Sequence, residues 1–353
     1  MFARFLICIA LFGMLMSPTM SAVTFPTCGK VVDLKCGIKD IRSDRWMQDL
    51  KFQIGNVKMS KVKIPASHDS GTYAINDFKS YSIDISSDPT MALIPTLVNL
   101  FGAYGLNATN IKSFVAPWVK TQKCSFADQL THGLRHFDLR VCYSGGVFTL
   151  CHALNANNVS DELAAIRAWS DKHPKEVISL DFNHLYGFSN AAAHQAFANL
   201  TLGALGSDNI ASSLGFNNTY NDFIGAKKRF KLFYANSAYA SLLLAEPSAN
   251  LPTPWPNVVD MGLLKNATLN NLAARTDFSK GFVSQVELTP TLNMMINGIV
   301  SNLMSVEELS EQRYFVISDW FKNLSNELKD KVNIVNTDFY NAKFLREIIL
   351  LNL

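Results

Sequence analysis

The sequence predicts an α/β fold, a single-domain irregular (β/α)8 barrel of the TIM type, from three observations. Short runs rich in Val, Ile, Leu and Phe recur along the chain. Helical stretches separate them, and no internal repeat or low-complexity linker divides the chain. Runs that are apolar throughout read as strands buried on both faces. Strands that alternate with helices pair in parallel. The candidate strands are Val62–Ser67, Leu134–Val141, Val147–His152, Glu176–Asn183, Phe230–Tyr234, Phe282–Leu288, Tyr314–Ser318 and Val332–Phe339. Such a number of strands in one chain suits a closed barrel, with a doubly wound sheet as the alternative topology.

The helices follow from caps and apolar spacing. Ser160 caps a helix running through Leu163, Ile166 and Trp169 to Lys172, where Pro174 blocks continuation. Ala191 to Leu205 is a second helix. Ser305-x-x-Glu308 is a capping-box pattern that opens a third. Asn341 to Leu350 is a fourth, with Leu345, Ile348 and Ile349 on its apolar side. Residues 71 to 123 carry little clear pattern. Within them, apolar Met91–Ala103 reads as a helix packed on the barrel, with a lid or membrane-facing element as the alternative.

Composition narrows the function classes. With 48% hydrophobic residues among 353, the chain has ample material for a large core. A net charge of +3 provides no concentrated basic face, so nucleic acid is not an expected partner. Arg4 precedes an apolar run from Phe5 to Met16, and small residues follow near Ser21-Ala22. That is the pattern of a secretory signal peptide. The expected organisation is therefore a leader over residues 1–22, one catalytic domain over 23–353, and a secreted, extracellular or periplasmic, location. Cys8 leaves with the leader. Cys28, Cys36, Cys124, Cys142 and Cys151 remain, an odd number that predicts one or two disulfides and a leftover thiol. Cys28 and Cys36 are close enough in sequence to pair. Asn-x-Ser/Thr sequons stand at Asn107, Asn158, Asn199, Asn217, Asn266 and Asn323.

The chemistry-bearing residues sit in four motifs at predicted strand ends, and strand ends converge at a barrel's mouth. Ile64-Pro65-Ala66-Ser67-His68-Asp69-Ser70-Gly71-Thr72 sets a histidine beside a carboxylate and a turn. In Leu134-Arg135-His136-Phe137-Asp138-Leu139-Arg140, Asp138 and Arg140 alternate and so share one strand face. A charged pair facing inward on an apolar strand is costly unless satisfied. It is therefore a structural ion pair or a guanidinium aimed at a phosphate. Leu150-Cys151-His152 and Ser179-Leu180-Asp181-Phe182-Asn183-His184 complete the set. Two histidines, an arginine and several carboxylates suit phosphodiester cleavage. One imidazole takes a proton from an attacking hydroxyl and the other gives one to the leaving alcohol.

These motifs resemble the phosphatidylinositol-specific phospholipase C X-domain family, in its small, secreted, X-domain-only form. The first looks like the family's opening motif. Gln129-Leu130 through Arg140 looks like its second, and His152 falls at the second catalytic histidine. Asp181-Phe182-Asn183-His184-Leu185-Tyr186, Thr253-Pro254-Trp255-Pro256-Asn257 and residues Val332 to Phe339 are similar to the X-domain-only branch. The resemblance covers about residues 55 to 345. It implies an irregular TIM barrel that cleaves an inositol phosphodiester lipid to diacylglycerol and a 1,2-cyclic phosphate. His68 is then the general base, His152 the general acid and Arg140 the phosphoryl stabiliser. Asp69 supports His152, Asp338 supports His68, and Asp138, with Asp181, shapes the inositol site.

The resemblance further implies no cofactor, because Arg140 stands where calcium-dependent members carry an acidic residue. The alternative is Ca2+ held by Asp69, Asp138 and Asp181. His152-Ala153 departs from the family's usual His-Gly, which matters only if that position needs positive φ. His136 receives no role and His184 a structural one. The expected partners are the inositol lipid and a transient membrane surface met by loops including Trp255, with the protein a monomer. A catalytically inactive lipid- or glycan-binding module on the same barrel is one alternative. A glycerophosphodiester phosphodiesterase is another, but its His-Arg-Gly opening is missing.

Overall fold

In the computed structural model the described residues are 26–34, 40–87, 93–103, 108–291, 293–295, 305–311 and 314–353. The leader expected over residues 1–22 lies outside them, as do Cys36 and Asn107. Seven parallel strands form one curled sheet. They are β1 (Ile64–Ser67), β2 (His136–Ser144), β5 (Ile178–Tyr186), β6 (Phe230–Tyr234), β7 (Glu246–Pro247), β8 (Val283–Gln285) and β9 (Ile334–Thr337). Their order is β7-β6-β5-β2-β1-β9-β8, and among the described residues β7 and β8 do not pair, so the barrel is open there. The β1–β9 register aligns Ser67 with Thr337, which brings the next residues, His68 and Asp338, to one level at the mouth.

Helices Val159–Lys172, Ala191–Leu205 and Ala342–Leu350 cover the outside of the sheet, close to their expected bounds. The first begins one residue before Ser160. Asn190 and Asn341 cap the other two by accepting from backbone N–H groups. Ser305 Oγ likewise accepts from Glu308 N at 3.0 Å, opening helix Val306–Glu311. Residues 93 to 103 are helical, and Ile94 is buried at the barrel mouth. Among the described residues no helix is long and apolar enough to cross a membrane.

Two expectations are corrected. Tyr314–Ser318 is not a strand but the start of a helix, Tyr314–Lys322. Ile317, Phe321 and Leu324 are buried at helical spacing, and that longer period overrides the local β-rich composition. Nor is Val147–His152 a barrel strand. β2 runs past the mouth to Gly145 and Gly146, both with positive φ, which make the two-residue turn of a hairpin. β3 (Val147–His152) returns antiparallel to β2 in a register pairing Val141 with Leu150. That register carries His152 back to the level of Leu139 and Arg140. β4 (Leu154–Asn158), which the sequence reading missed, pairs with β3.

The cysteines also pair differently from expectation. Cys28 is bonded to Cys124, not to Cys36, and ties the N-terminal segment to the chain before helix Phe126–His132. Cys142–Cys151 cross-links β2 to β3. The sequon residues Asn158, Asn199, Asn217, Asn266 and Asn323 are all exposed.

Three non-glycine residues take left-handed backbone directly at strand ends: Asp69 (φ 42°), Ala153 (φ 59°) and Phe339 (φ 37°). Each lies beside a residue of the mouth, where strain of this kind concentrates. At Ala153 the conformation costs about 1–2 kcal/mol. The extra unfolded-state freedom of glycine offsets part of this, roughly 0.5–1 kcal/mol. Ala153→Gly is therefore expected to stabilise the protein by about 0.5–1 kcal/mol, read as a higher urea midpoint at unchanged slope.

Candidate active site

The site is built on the backbone at the ends of β1, β2 and β9. Gln122 Nε2 donates to the carbonyls of His68 (2.8 Å) and Thr337 (3.0 Å), clamping two strand ends together. Thr121 Oγ1 donates to His68 O at 2.9 Å. Ser70 Oγ accepts from Asp138 N at 3.1 Å and so ties the turn after His68 to β2. Alternation along β2 turns Phe137, Leu139 and Val141 into the apolar core and Asp138 and Arg140 into the barrel.

On this frame the two histidines converge. His68 Nδ1–H donates to Asp338 Oδ1 at 2.7 Å, leaving Nε2 directed at Asp69 Oδ2, 3.3 Å away. His152 Nδ1–H donates to Val119 O at 2.7 Å, and its Nε2 lies 3.5 Å from the same Asp69 oxygen. Arg140 Nε is ion-paired with the other oxygen, Oδ1, at 2.6 Å. The expected His68–Asp338 partnership is present. Asp69 is shared: it meets both histidines and Arg140, whereas His152 is oriented by a backbone carbonyl.

Asp138 faces the cavity. It accepts from Asn336 Nδ2 at 3.3 Å and from Asn183 Nδ2. Asp181 pairs in register with Asp138 across β5 but sits behind it, accepting from Ser248 Oγ at 3.0 Å. His136 is enclosed in the core, bonded to Ser179 Oγ at 3.0 Å, and burial pushes its pKa down to about 3. His184 is exposed at the rim, where its Nδ1–H donates to Asn183 Oδ1 at 2.8 Å. Trp255, expected at a membrane-facing loop, packs over His68 with ring centroids 5.1 Å apart and remains 39% exposed.

Burial shapes the electrostatics. It would raise Asp69, but Arg140 foremost, then His68 and His152, overturn this and hold its carboxyl well below the usual carboxylate range. Burial would likewise deprotonate His68, but Asp69 and Asp338 together hold its pKa well above 6.5. Asp181 is pushed up to about 8 by burial, with the Asp138 charge adding to it. Glu287, which the sequence reading missed, is 1% exposed and lies near His68, Asp338 and Asp138. Burial drives its pKa well above the ordinary value. A carboxylate inside the apolar run Phe282–Leu288 was the available signal for it.

These residues floor a cavity of about 390 Å³, within the range of about 300–1,000 Å³ typical of small-molecule sites. His68, Asp138, Arg140, His152 and Asp338 all line it. Gln285, which accepts from Asn336 Nδ2 at 2.8 Å, extends its polar side. Asn336 lies in the Val332–Phe339 motif, whereas no sequence signal marked Gln285.

Known proteins share this arrangement's frame. A family model described as PI-PLC X 1 matches residues 108–240. PI-PLC X domain-containing protein 2 of Mus musculus is 30% identical over 315 residues, covering 87% of this chain and 87% of that protein. PI-PLC X domain-containing protein 3 of Homo sapiens is 26% identical over 321 residues, covering 90% and 95%. Among solved structures, phosphatidylinositol-specific phospholipase C from Staphylococcus aureus superposes with a TM-score of 0.61 at 15% identity, over 88% of this chain and 98% of that one. The Listeria monocytogenes enzyme gives 0.60 at 17% identity, over 88% and 99%. The bacterial likeness establishes the TIM-type barrel. The longer alignments extend well beyond the matched segment, and on them the chain belongs to the PI-PLC X domain family.

Proposed function

We propose that the protein is a secreted phosphodiesterase that cleaves phosphatidylinositol or a related inositol phosphodiester lipid. One observation carries this reading. Two imidazole Nε2 atoms lie within 3.5 Å of one Asp69 oxygen, and a guanidinium meets the other, on the floor of a single cavity. A phosphate-sized group placed there meets a base, an acid and a fixed positive charge together.

In the proposed reaction the inositol 2-hydroxyl oxygen bonds to phosphorus and its proton passes to His68 Nε2. The phosphorus–glycerol oxygen bond breaks, and His152 Nε2 gives its proton to the departing oxygen. The products are diacylglycerol and inositol 1,2-cyclic phosphate, with no net change in protons or electrons. Asp338 holds His68 in the tautomer that leaves Nε2 free to accept. Arg140 offsets charge on the phosphoryl oxygens. Asp138, fixed by Asn183 and Asn336, contacts the polyol, and Asp181 supports it from behind. The protein acts as a monomer at a membrane surface, with Trp255 at the rim. Two disulfides among the described residues favour an oxidising, extracytoplasmic compartment.

The donor set does not fit calcium, which takes six to eight oxygens. Ligand atoms of His68, Asp69 and Asp138 do lie within 4.8 Å of one another. Yet Arg140 already neutralises Asp69, and burial keeps Asp181 protonated in the neutral range. A cation at contact distance from the guanidinium would be repelled. No metal is therefore expected to be required.

Three outcomes follow. Release of soluble inositol phosphate from phosphatidylinositol vesicles persists in EDTA, and His68→Ala reduces it by about 10²–10⁴-fold. EDTA-sensitive release would return the site to the calcium alternative, and absence of release under both conditions would favour an inert binding module. For the pH dependence, His68 must shed its proton to act as base. The acid limb of kcat/KM thus has its midpoint above 6.5, and Asp338→Asn moves that midpoint down while lowering the maximum. Asp181 is protonated more readily in the fold than unfolded, so its contribution to stability is complete below 3.8, is lost progressively as pH rises from there, and is gone above about 8. Asp181→Asn keeps the Ser248 hydrogen bond without the ionisation and is expected to flatten the fall in Tm between pH 3.8 and about 8.

A further inference from the structure

Trp255 is an exposed aromatic residue on a tightly restrained segment. Val283 N donates to Pro252 O at 2.9 Å, Gln285 Nε2 to Thr253 Oγ1 at 2.6 Å, and Thr289 N to Val258 O at 2.9 Å. Residues 252 to 258 thus form an arch with both feet bonded to β8 and the residues just after it. Pro254 and Pro256 flank the indole, fixing their own φ and confining Thr253 and Trp255 to extended backbone. A side chain that only met a lipid surface would need no such restraint.

The arch presents an aromatic face to His68. The ring centroids are 5.1 Å apart and the planes 36° from parallel. The other groups around this imidazole are ionisable. Asp69 Oδ2 lies 3.3 Å away on the turn after β1, and Asp338 Oδ1 2.7 Å away at the end of β9. Asp138 of β2 offers an oxygen within 4.8 Å, and Glu287 acts from beyond β8. Arg140 and His152 reach His68 through Asp69. The indole carries no charge, but its π face attracts a cation within about 6 Å of the ring centre, and tryptophan does this best among the aromatic side chains. Neutral imidazole gains little from that face, whereas imidazolium gains more. The contact therefore acts on the difference between the two states through which the base passes.

We propose that Trp255 is a positioning residue for the base: its indole, held by the arch, keeps the His68 ring in place and favours the imidazolium that forms when His68 takes the proton of the attacking hydroxyl. This rests on the phosphodiesterase reading above and gives Trp255 a role inside the reaction, distinct from contact with a membrane. The bias toward the charged ring is about two- to fivefold, the size of a partly exposed cation–π contact.

The test uses the full chain and a substrate that needs no membrane, the methyl ester of inositol 1-phosphate. In Trp255→Leu, which keeps an apolar cover on the ring, kcat falls about two- to fivefold with KM within about twofold, and the acid limb of kcat/KM moves down by about 0.4–0.7 pH unit. Trp255→Phe falls between Trp255→Leu and wild type. Asp69, Asp138, Glu287 and Asp338 are the same in all three proteins, so the difference reports the indole. A raised KM with an unmoved midpoint would make Trp255 a wall for the substrate. Normal cleavage of the soluble diester with poor cleavage of phosphatidylinositol vesicles would make it a membrane anchor only. Either result overturns the proposal, as does a midpoint that rises. If Trp255→Leu does not fold, Trp255→Phe carries the same test. An NMR titration of His68, its Cε1–H signal assigned by its loss in His68→Ala, needs no turnover. A lowered His68 pKa in the Trp255 variant, with no inositol diester cleaved by wild type, keeps the contact while the phosphodiesterase reading falls. An unchanged His68 pKa removes the proposal, and the phosphodiesterase reading stands if wild type still cleaves.

Discussion

Asp69 is buried with a full charge, and nearly everything at the mouth of the barrel is arranged around keeping it so. A lone carboxylate at 2% exposure would bind a proton to escape its desolvation. Arg140 prevents this by meeting one oxygen at 2.6 Å, and two imidazole edges meet the other. Remove the guanidinium and the reason for both histidines to face one point weakens. Three separate segments, the turn after β1, the middle of β2 and the end of β3, are thereby held to one another by charge. Gln122 and Thr121 then hold the backbone against which that charge cluster sits.

The frame was legible in the sequence where side-chain period and strand ends coincide. His68 follows a short apolar strand, and Asp138 and Arg140 alternate along another, so their convergence follows from parallel pairing alone. His152 lies in the cluster, but not at the end of a barrel strand as expected. It arrives on the returning arm of a hairpin, and only the Gly145-Gly146 turn pointed to that geometry. Gln285 carried no signal, because its place beside the cavity arises from what tertiary packing sets opposite it. The cysteine pairing was equally closed to sequence reasoning. Nearness along the chain favoured Cys28 with Cys36, whereas the fold brings Cys124 to within 5.6 Å of Cys28 between Cα atoms.

Strain and charge are concentrated in the same few residues. Left-handed backbone at Asp69, Ala153 and Phe339 turns the chain sharply just beyond strands and aims the adjacent side chains inward. Ala153 N–H donates to Asp84 at 2.8 Å, which shows how the neighbouring structure enforces an otherwise unfavourable conformation. Stability has been given up at these turns for direction, as is usual where a fold and the residues around a cavity compete for the same positions.

The cross-link between Cys142 and Cys151 divides the hairpin into a fixed base and a free end. Below it, Arg140 and His152 are held at a spacing set by a covalent bond rather than by packing alone. Above it, Gly145 and Gly146 have open space around them. Changes of length or composition at that tip are mechanically insulated from the pair beneath. The barrel thus carries a protruding arm whose outer end can diverge among descendants, acquiring contacts with new surfaces, while the geometry at its root stays the same.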